Sequence, residues 1–227
     1  MKLSLKKYSK IVSLVKKNKF SSFEILTNYG LFSGDRNLFK TLKIFELIYQ
    51  IKNVKGDIIE LGIHRGNTSL LIKKILNIYK IKKKLFLLDH FKGLIHYTKK
   101  DPKASKKFEN KFKSPKKLIE DFLKFFDFKN VSFIDQDATK LNNKSFENKK
   151  FCLAYFDMDL YEPTLNALKA IDKSIVKGGI IVFDEGNKKI WAGEKKAIKD
   201  FLKANKNYKY ILIDRDRQPD VYLKKMK

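Results

Sequence analysis

Apolar positions along the chain recur in two different rhythms. Over residues 1–55 they fall at helical spacing: Ile11, Leu14 and Val15 form one stripe, and Leu38, Leu42, Ile44, Phe45 and Ile48 a second. Ser33-Gly34-Asp35 opens the second helix, with Asp35 expected as its N-cap, and Lys55-Gly56 closes the region as a turn. From Asp57 the rhythm changes to short apolar runs separated by periodic stretches. The runs are Ile58–Leu61, Leu85–Leu88, Val131–Ile134, Phe151–Phe156 and Gly179–Phe183; helices are expected at 69–79, about 116–126, about 163–175 and 192–204. Tyr210–Ile213 and Val221–Leu223 flank Gln218-Pro219-Asp220, a turn suited to a closing hairpin. Buried runs alternating with helices predict an α/β fold, a mainly parallel sheet covered on both faces.

Composition sharpens this picture. A chain of 227 residues, 43% hydrophobic and 13% aromatic, has the material for one large domain with a substantial core. Cys152, the single cysteine, excludes an internal disulfide and any multi-cysteine zinc site, and suits a reducing, cytoplasmic setting. No apolar stretch approaches the ~18–20 residues that cross a bilayer. Lysines interrupt the apolar patch of the N-terminus too early for a secretory signal.

The formal charge of +26 raises the alternative of a nucleic-acid-binding or modifying protein. Its make-up argues against that. Only Arg36, Arg65, Arg215 and Arg217 are arginines, the residue that grips phosphates and base edges with two parallel bonds. The lysines spread along the whole chain like a solvated surface, whose potential would still steer an anionic small substrate.

Candidate chemistry sits at strand ends. Gly62, Asp89, Asp137, Asp157 and Asp184 each close an expected parallel strand, and open α/β sheets bind ligands outside those ends. Glu60-Leu61-Gly62-Ile63-His64-Arg65-Gly66-Asn67-Thr68 places two glycines at a strand-to-helix turn, where backbone N–H groups can approach a ligand; as an isolated pattern it is equally a tight turn. Asp89, ending the next strand, is placed for a ribose diol, so the two together favour a nucleoside-containing cofactor. Asp157-Met158-Asp159 and Asp184-Glu185 end neighbouring strands, where carboxylates repel unless a cation or protons intervene. Oxygen-only ligands favour Mg²⁺, Ca²⁺ or Mn²⁺ over zinc. The alternative is that these acids cap the following helices or pair with lysines. His64 and His90 are placed to line the site, whereas His96 is expected at the surface. Neither a Walker A loop nor a G-x-S-x-G elbow is present.

The segments GDIIELGIHRGNTS, FLLDHFKGL, IDQDATKL, LAYFDMDLYEPTLNAL and KGGIIVFDEGNKKIWAGEKKAIKDF resemble the macrocin O-methyltransferase (TylF-like) family, and within it the branch methylating dTDP-linked 6-deoxyhexoses of the rhamnose type at the 3-hydroxyl. They span about residues 55–205. The resemblance implies the seven-stranded, Rossmann-like class I methyltransferase sheet with an antiparallel final strand, in a methyltransferase domain at 56–227. Residues 1–55 would then be a helical extension serving oligomerisation or as a lid. It also implies that Glu60, Gly62, Arg65, Gly66, Asn67 and Thr68 line the methionine part of S-adenosylmethionine, that Asp89 holds its ribose, and that Asp137 and Ala138 meet its adenine. Asp157, Asp184 and Glu185 would hold Mg²⁺, Asp159 would be the general base, and Trp191 and Glu194 would face the acceptor.

Related metal-dependent enzymes often carry a Lys or His base three residues after the first metal carboxylate. Leu160 stands there in this chain, which puts the weight on Asp159. The expected activity is Mg²⁺-dependent methyl transfer to a hydroxyl of a nucleotide-linked sugar, in glycan or secondary-metabolite synthesis, by a homo-oligomer. A phenolic, lipid or antibiotic acceptor is the alternative within the same chemistry. Residues 92–116, lysine-dense and weakly patterned, read as an insertion or mobile cover on which acceptor identity would depend.

Overall fold

The computed structural model describes residues 5–113 and 115–227, with side chains from Lys10 onward. Residues 1–4 of the expected N-terminal helical region, and Ser114 in the lysine-rich stretch, lie outside the described residues. Four helices come first: α1 (Leu5–Lys17), α2 (Ser22–Thr27), α3 (Tyr29–Phe32) and α4 (Asp35–Gln50). Gly34, not Asp35, is the N-cap of α4. Asp35 lies one position later, in the first turn, where its charge still complements the exposed N–H groups.

The alternating region follows as β1 (Asp57–Leu61), α5 (Asn67–Ile78), β2 (Leu85–Asp89), α6 (Lys116–Phe125), β3 (Val131–Asp135), β4 (Phe151–Phe156), α7 (Tyr161–Ile171), β5 (Ile175–Phe183), α8 (Ala192–Ala204), β6 (Tyr208–Leu212) and β7 (Val221–Lys225). The seven strands form one sheet in the order β3-β2-β1-β4-β5-β7-β6. Strands β1 to β5 are mutually parallel, and β7 runs antiparallel to both of its neighbours. The expected hairpin is therefore β6–β7, inserted beside β5.

Side-chain alternation explains why the sheet needs helices on both faces. Ile59, Leu61, Phe86, Leu88, Ala154 and Phe156 pack on one face with Ala167, Leu168 and Ile171 of α7 and Ile198 and Phe201 of α8. Their neighbours Ile58, Leu85, Leu87, Leu153 and Tyr155 pack on the other with Ile44, Leu47 and Ile48 of α4, Ile72 and Leu76 of α5, and Ile119 and Leu123 of α6. Each fully buried Ile or Leu contributes about 1.5–3 kcal/mol, so both faces demand cover. The helix α4 thus shares its core with the sheet.

Strand order reverses between β1 and β4, leaving a crevice at their C-terminal ends. Gly62 makes the close approach there possible. Its φ is +83°, and a Cβ would stand 2.1 Å from the Asp157 carbonyl oxygen.

Candidate active site

A cavity of ≈ 340 Å³ opens at this crevice, a volume in the range of small-ligand pockets. Its wall is drawn from four strand ends: Gly62 after β1, Asp89 at the end of β2 with His90 after it, Asp157, Met158 and Asp159 after β4, and Asp184 and Glu185 after β5. Asp89 ties two of these ends together, accepting the N–H of Ile63 at 2.8 Å on Oδ2 and that of Phe91 at 2.6 Å on Oδ1. Past Gly62 the chain enters α5 through Gly66, which holds φ +78° as the N-cap. The exposed N–H groups of that helix therefore start beside the cavity's glycine turn, a setting that favours negative charge.

On the opposite side four carboxyls line the wall and act on one another electrostatically. Asp184 is 3% exposed and accepts from the Tyr155 hydroxyl, while the Lys40 ammonium lies 2.8 Å from the same Oδ1 atom. Glu185 accepts from the Gln218 amide on Oε1, but its Oε2 is buried with no hydrogen-bond partner. Burial and the Asp184 charge push Asp157 up to about 7, and the same two causes push Glu185 up to about 8. Burial, then Asp157 and Glu185, raises Asp159 well above the carboxylate range. Lys40 answers this field. Burial disfavours its charge, yet Asp184 and Asp157 outweigh burial and hold the ammonium more firmly protonated than a free lysine.

The helix-capping alternative is decided residue by residue. The N-caps of α7 and α8 are Leu160 and Trp191, and neither cap is a side-chain bond. Asp157, Asp159, Asp184 and Glu185 are thus not consumed as caps. Asp137 is: its Oδ1 accepts the N–H of Thr139 at 2.9 Å and its hydroxyl at 2.7 Å, capping the short turn Ala138–Lys140. Burial raises its carboxyl, but Thr139 and His96 outweigh that and leave it below the usual range.

Of the residues singled out in the sequence, Gly62, Asp89, Ala138, Asp157, Asp159, Asp184, Glu185 and Trp191 line the cavity. Glu60, Arg65, Gly66, Asn67, Thr68, Asp137 and Glu194 lie outside its lining. Glu60 is buried and accepts from the Ser69 hydroxyl, supporting the glycine turn from behind. Arg65 and Asn67 are exposed beside the turn, and Thr68 is buried in the first turn of α5. Glu194 is fully buried in the first turn of α8, and neither of its oxygens has a hydrogen-bond partner. Burial and then Asp159 raise its carboxyl well above the usual range.

His96 corrects an expectation. It is not a surface histidine: it lines the cavity, with Nε2 2.7 Å from Asp137 Oδ2. Among the described residues, His90, His96 and Asp137 are the only His, Cys, Asp or Glu trio whose ligand atoms all lie within 4.8 Å of one another. Asp157, Asp184 and Glu185 do not gather so closely, and Lys40 already pairs with Asp184. Their donor set nevertheless fits a hard divalent cation, being all oxygen and leaving a buried Glu185 oxygen unpaired.

The lysine-rich segment forms the cavity's cover, supplying Gly93, Leu94, Ile95, His96 and Phe112 to its wall. Asp101 fastens it. One carboxylate oxygen takes the N–H and hydroxyl of Thr98, both at 2.8 Å, and the other takes the N–H of Tyr161 at 2.8 Å, just past the acidic loop. An aromatic chain backs the cover, with Phe108 5.2 Å from Trp191 and 5.6 Å from Phe112 between ring centroids.

The macrocin O-methyltransferase (TylF) family model matches residues 31–224. The chain belongs to that family. Membership makes it an O-methyltransferase, and its sheet order is that of the S-adenosylmethionine-dependent class I fold. The calicheamicin methyltransferase CalS11 is similar at a TM-score of 0.80 and 21% identity, over 97% of this chain and 93% of that one. The apo structure of CalS11, described as a TDP-rhamnose 3'-O-methyltransferase, gives 0.74 and 23%, over 97% and 95%. The O-methyltransferase NovP gives 0.69 and 19%, over 82% and 79%. No curated protein matches the chain by sequence.

Sequence reasoning missed three contributors to this TylF-family site: Lys40, Tyr155 and Asp101. Lys40 is one of two lysines on an amphipathic helix in a lysine-rich chain, and Tyr155 reads as core. Asp101, in a stretch without periodicity, had no local signal. No described helix is long and apolar enough to cross a membrane.

Proposed function

We propose that this protein transfers the methyl group of S-adenosylmethionine to a hydroxyl of a nucleotide-linked sugar, with a hard divalent cation such as Mg²⁺ held by Asp157, Asp184 and Glu185. The observation carrying this reading is that four carboxyls from two neighbouring strand ends line one cavity with the glycine turn and Asp89. A nucleoside donor suits the turn and Asp89. An acid cluster beside it suits an acceptor that must lose a proton. The sugar nucleotide follows from likeness to CalS11, and the basic surface would steer such an anion toward the cavity.

When bound, the cation would draw electron density from the acceptor hydroxyl and favour its ionised form. The chain's own residues do the rest. Asp89 would hold the donor's ribose, and the Gly62 turn would let the donor lie against backbone. Ala138, with His96 locked on Asp137, would wall the adenine end. Phe112 and Trp191 would confine the acceptor. Asp159 would take the hydroxyl proton as the acceptor oxygen attacks the methyl carbon in line and the sulfur leaves with its electron pair. Burial, then Asp157 and Glu185, disfavours the charged form of Asp159 in the metal-free protein, a repulsion that a cation on those neighbours would relieve. Asp159 holds φ +63°, a left-handed conformation that aspartate adopts more readily than most non-glycine residues.

Homo-oligomerisation through the N-terminal helices belongs to the same reading, since Phe23, Leu26 and Leu31 are 74%, 82% and 62% exposed. A melting assay tests the ligand set. S-adenosylmethionine and dTDP should each raise Tm, and EDTA should abolish turnover without abolishing the donor's effect. No response to either ligand would refute the proposal.

A further inference from the structure

Lys40 is the only lysine or arginine among the described residues that lines the cavity, in a chain of formal charge +26. It reaches in from the first half of α4, on the helical region preceding the sheet. Its ammonium lies 2.8 Å from Asp184 Oδ1, the same oxygen that accepts from Tyr155, and 5.7 Å from the Tyr155 ring centroid. The side chain is only 19% exposed, so its charge is poorly screened. The carboxylate it occupies is one that the proposed cation would also use.

Two cations cannot share one carboxylate oxygen in a poorly hydrated site without strong repulsion. A flexible four-carbon stem, however, lets an ammonium swing aside where a shorter group could not. We propose that Lys40 is a tethered counter-ion of the acid cluster, competing with the divalent cation for Asp184 and leaving that oxygen when the cation enters. This inference rests on the cation reading above. Lys40 holds the carboxylates together in the metal-free protein and sets a threshold on cation affinity. It is a positioning residue, because it acts through Asp184.

Mn²⁺ titration of the full chain, read from the electron paramagnetic resonance signal of the free ion, tests the competition without any activity measurement. Lys40→Met should bind Mn²⁺ at least roughly tenfold more tightly than the parent, the order expected on removing one unit charge beside the ion. In EDTA the same variant should melt lower, and Mn²⁺ should raise its Tm by more than it raises the parent's. Lys40→Gln keeps an N–H donor for Asp184 without the charge, so it should show the same tightening if Lys40→Met fails to fold. Lys40→Arg keeps the charge and should bind like the parent. Equal or weaker Mn²⁺ binding in the neutral variants would overturn the competition while leaving the cation reading intact. Absence of Mn²⁺ binding in parent and variants alike would overturn the cation reading and the competition with it.

Discussion

Gly193 and Asp101 are in contact so close that only glycine fits. A Cβ on Gly193 would lie 1.9 Å from Asp101 Oδ1, the oxygen that accepts the Tyr161 N–H. The start of α8, the cover segment and the start of α7 thus meet at one buried carboxylate, next to the loop that carries Asp157 and Asp159. Loss of Asp101's bonds leaves the Tyr161 N–H unsatisfied, so Asp101→Ala should lower stability by about 1–3 kcal/mol in urea unfolding. Gly193→Ala should do comparable damage by expelling the Asp101 carboxylate. The double variant should fall short of the sum of the two, because the atoms in collision are then gone. Strict additivity would mean the contact is not what holds the cover.

Gly62→Ala should be more severe. The added Cβ meets backbone, 2.1 Å from the Asp157 carbonyl, at a residue with φ +83°. Neither side can move without separating β1 from β4. A cost of about 3 kcal/mol or more is expected, with loss of the S-adenosylmethionine-induced rise in Tm. A variant that still binds the donor normally would show that the turn does not touch it.

Metal-free stability should fall as pH rises. Burial, against the Ser69 bond, lifts Glu60 from 4.5 to about 8, and Asp157 and Glu185 shift in the same direction. Between those values the folded chain binds more protons than the unfolded one, so ∂ΔG/∂pH of unfolding is negative. The stabilisation is present below the unfolded value and lost through the folded value. Tm in EDTA should therefore decline between about pH 5 and about pH 8, and Glu60→Gln should flatten part of that slope. A Tm that climbs over this window would contradict the burial of uncompensated carboxyls.

Much of this arrangement was legible in the chain, and the reasons are physical. Asp89, Asp157 and Asp184 follow uninterrupted apolar runs, and a buried parallel strand must release its chain at a polar residue on one edge of the sheet. The alternation therefore brings them together at one edge of the sheet. Asp137 was legible in place but not in bonding, because nothing in its neighbourhood announces His96, 41 positions earlier. Lys40 and Asp101 act across long sequence separations through single contacts, which leave no periodicity. The N-cap of α4 slipped by one residue for an ordinary reason: Gly34 and Asp35 are both acceptable at a helix start.

Asp157 and Asp159 should separate by role. Asp157→Asn should lose the Mn²⁺ response while still binding S-adenosylmethionine. Asp159→Asn should keep both ligands and lose turnover by about two to four orders of magnitude, the range for a removed general base. Binding is read by Tm and turnover by product formation. Full turnover in Asp159→Asn would assign the proton transfer elsewhere.

Methyl transfer itself is the most direct test of the central claim. The protein would be incubated with S-adenosylmethionine labelled with deuterium in its methyl group and a panel of dTDP-linked hexoses, with Mg²⁺ or with EDTA, and the sugar nucleotides analysed by mass spectrometry. One labelled methyl group is expected on the hexose of at least one sugar nucleotide, formed with Mg²⁺ and absent in EDTA. Labelled product formed equally well in EDTA, or no methylated sugar nucleotide from a protein that demonstrably binds the donor, would contradict it.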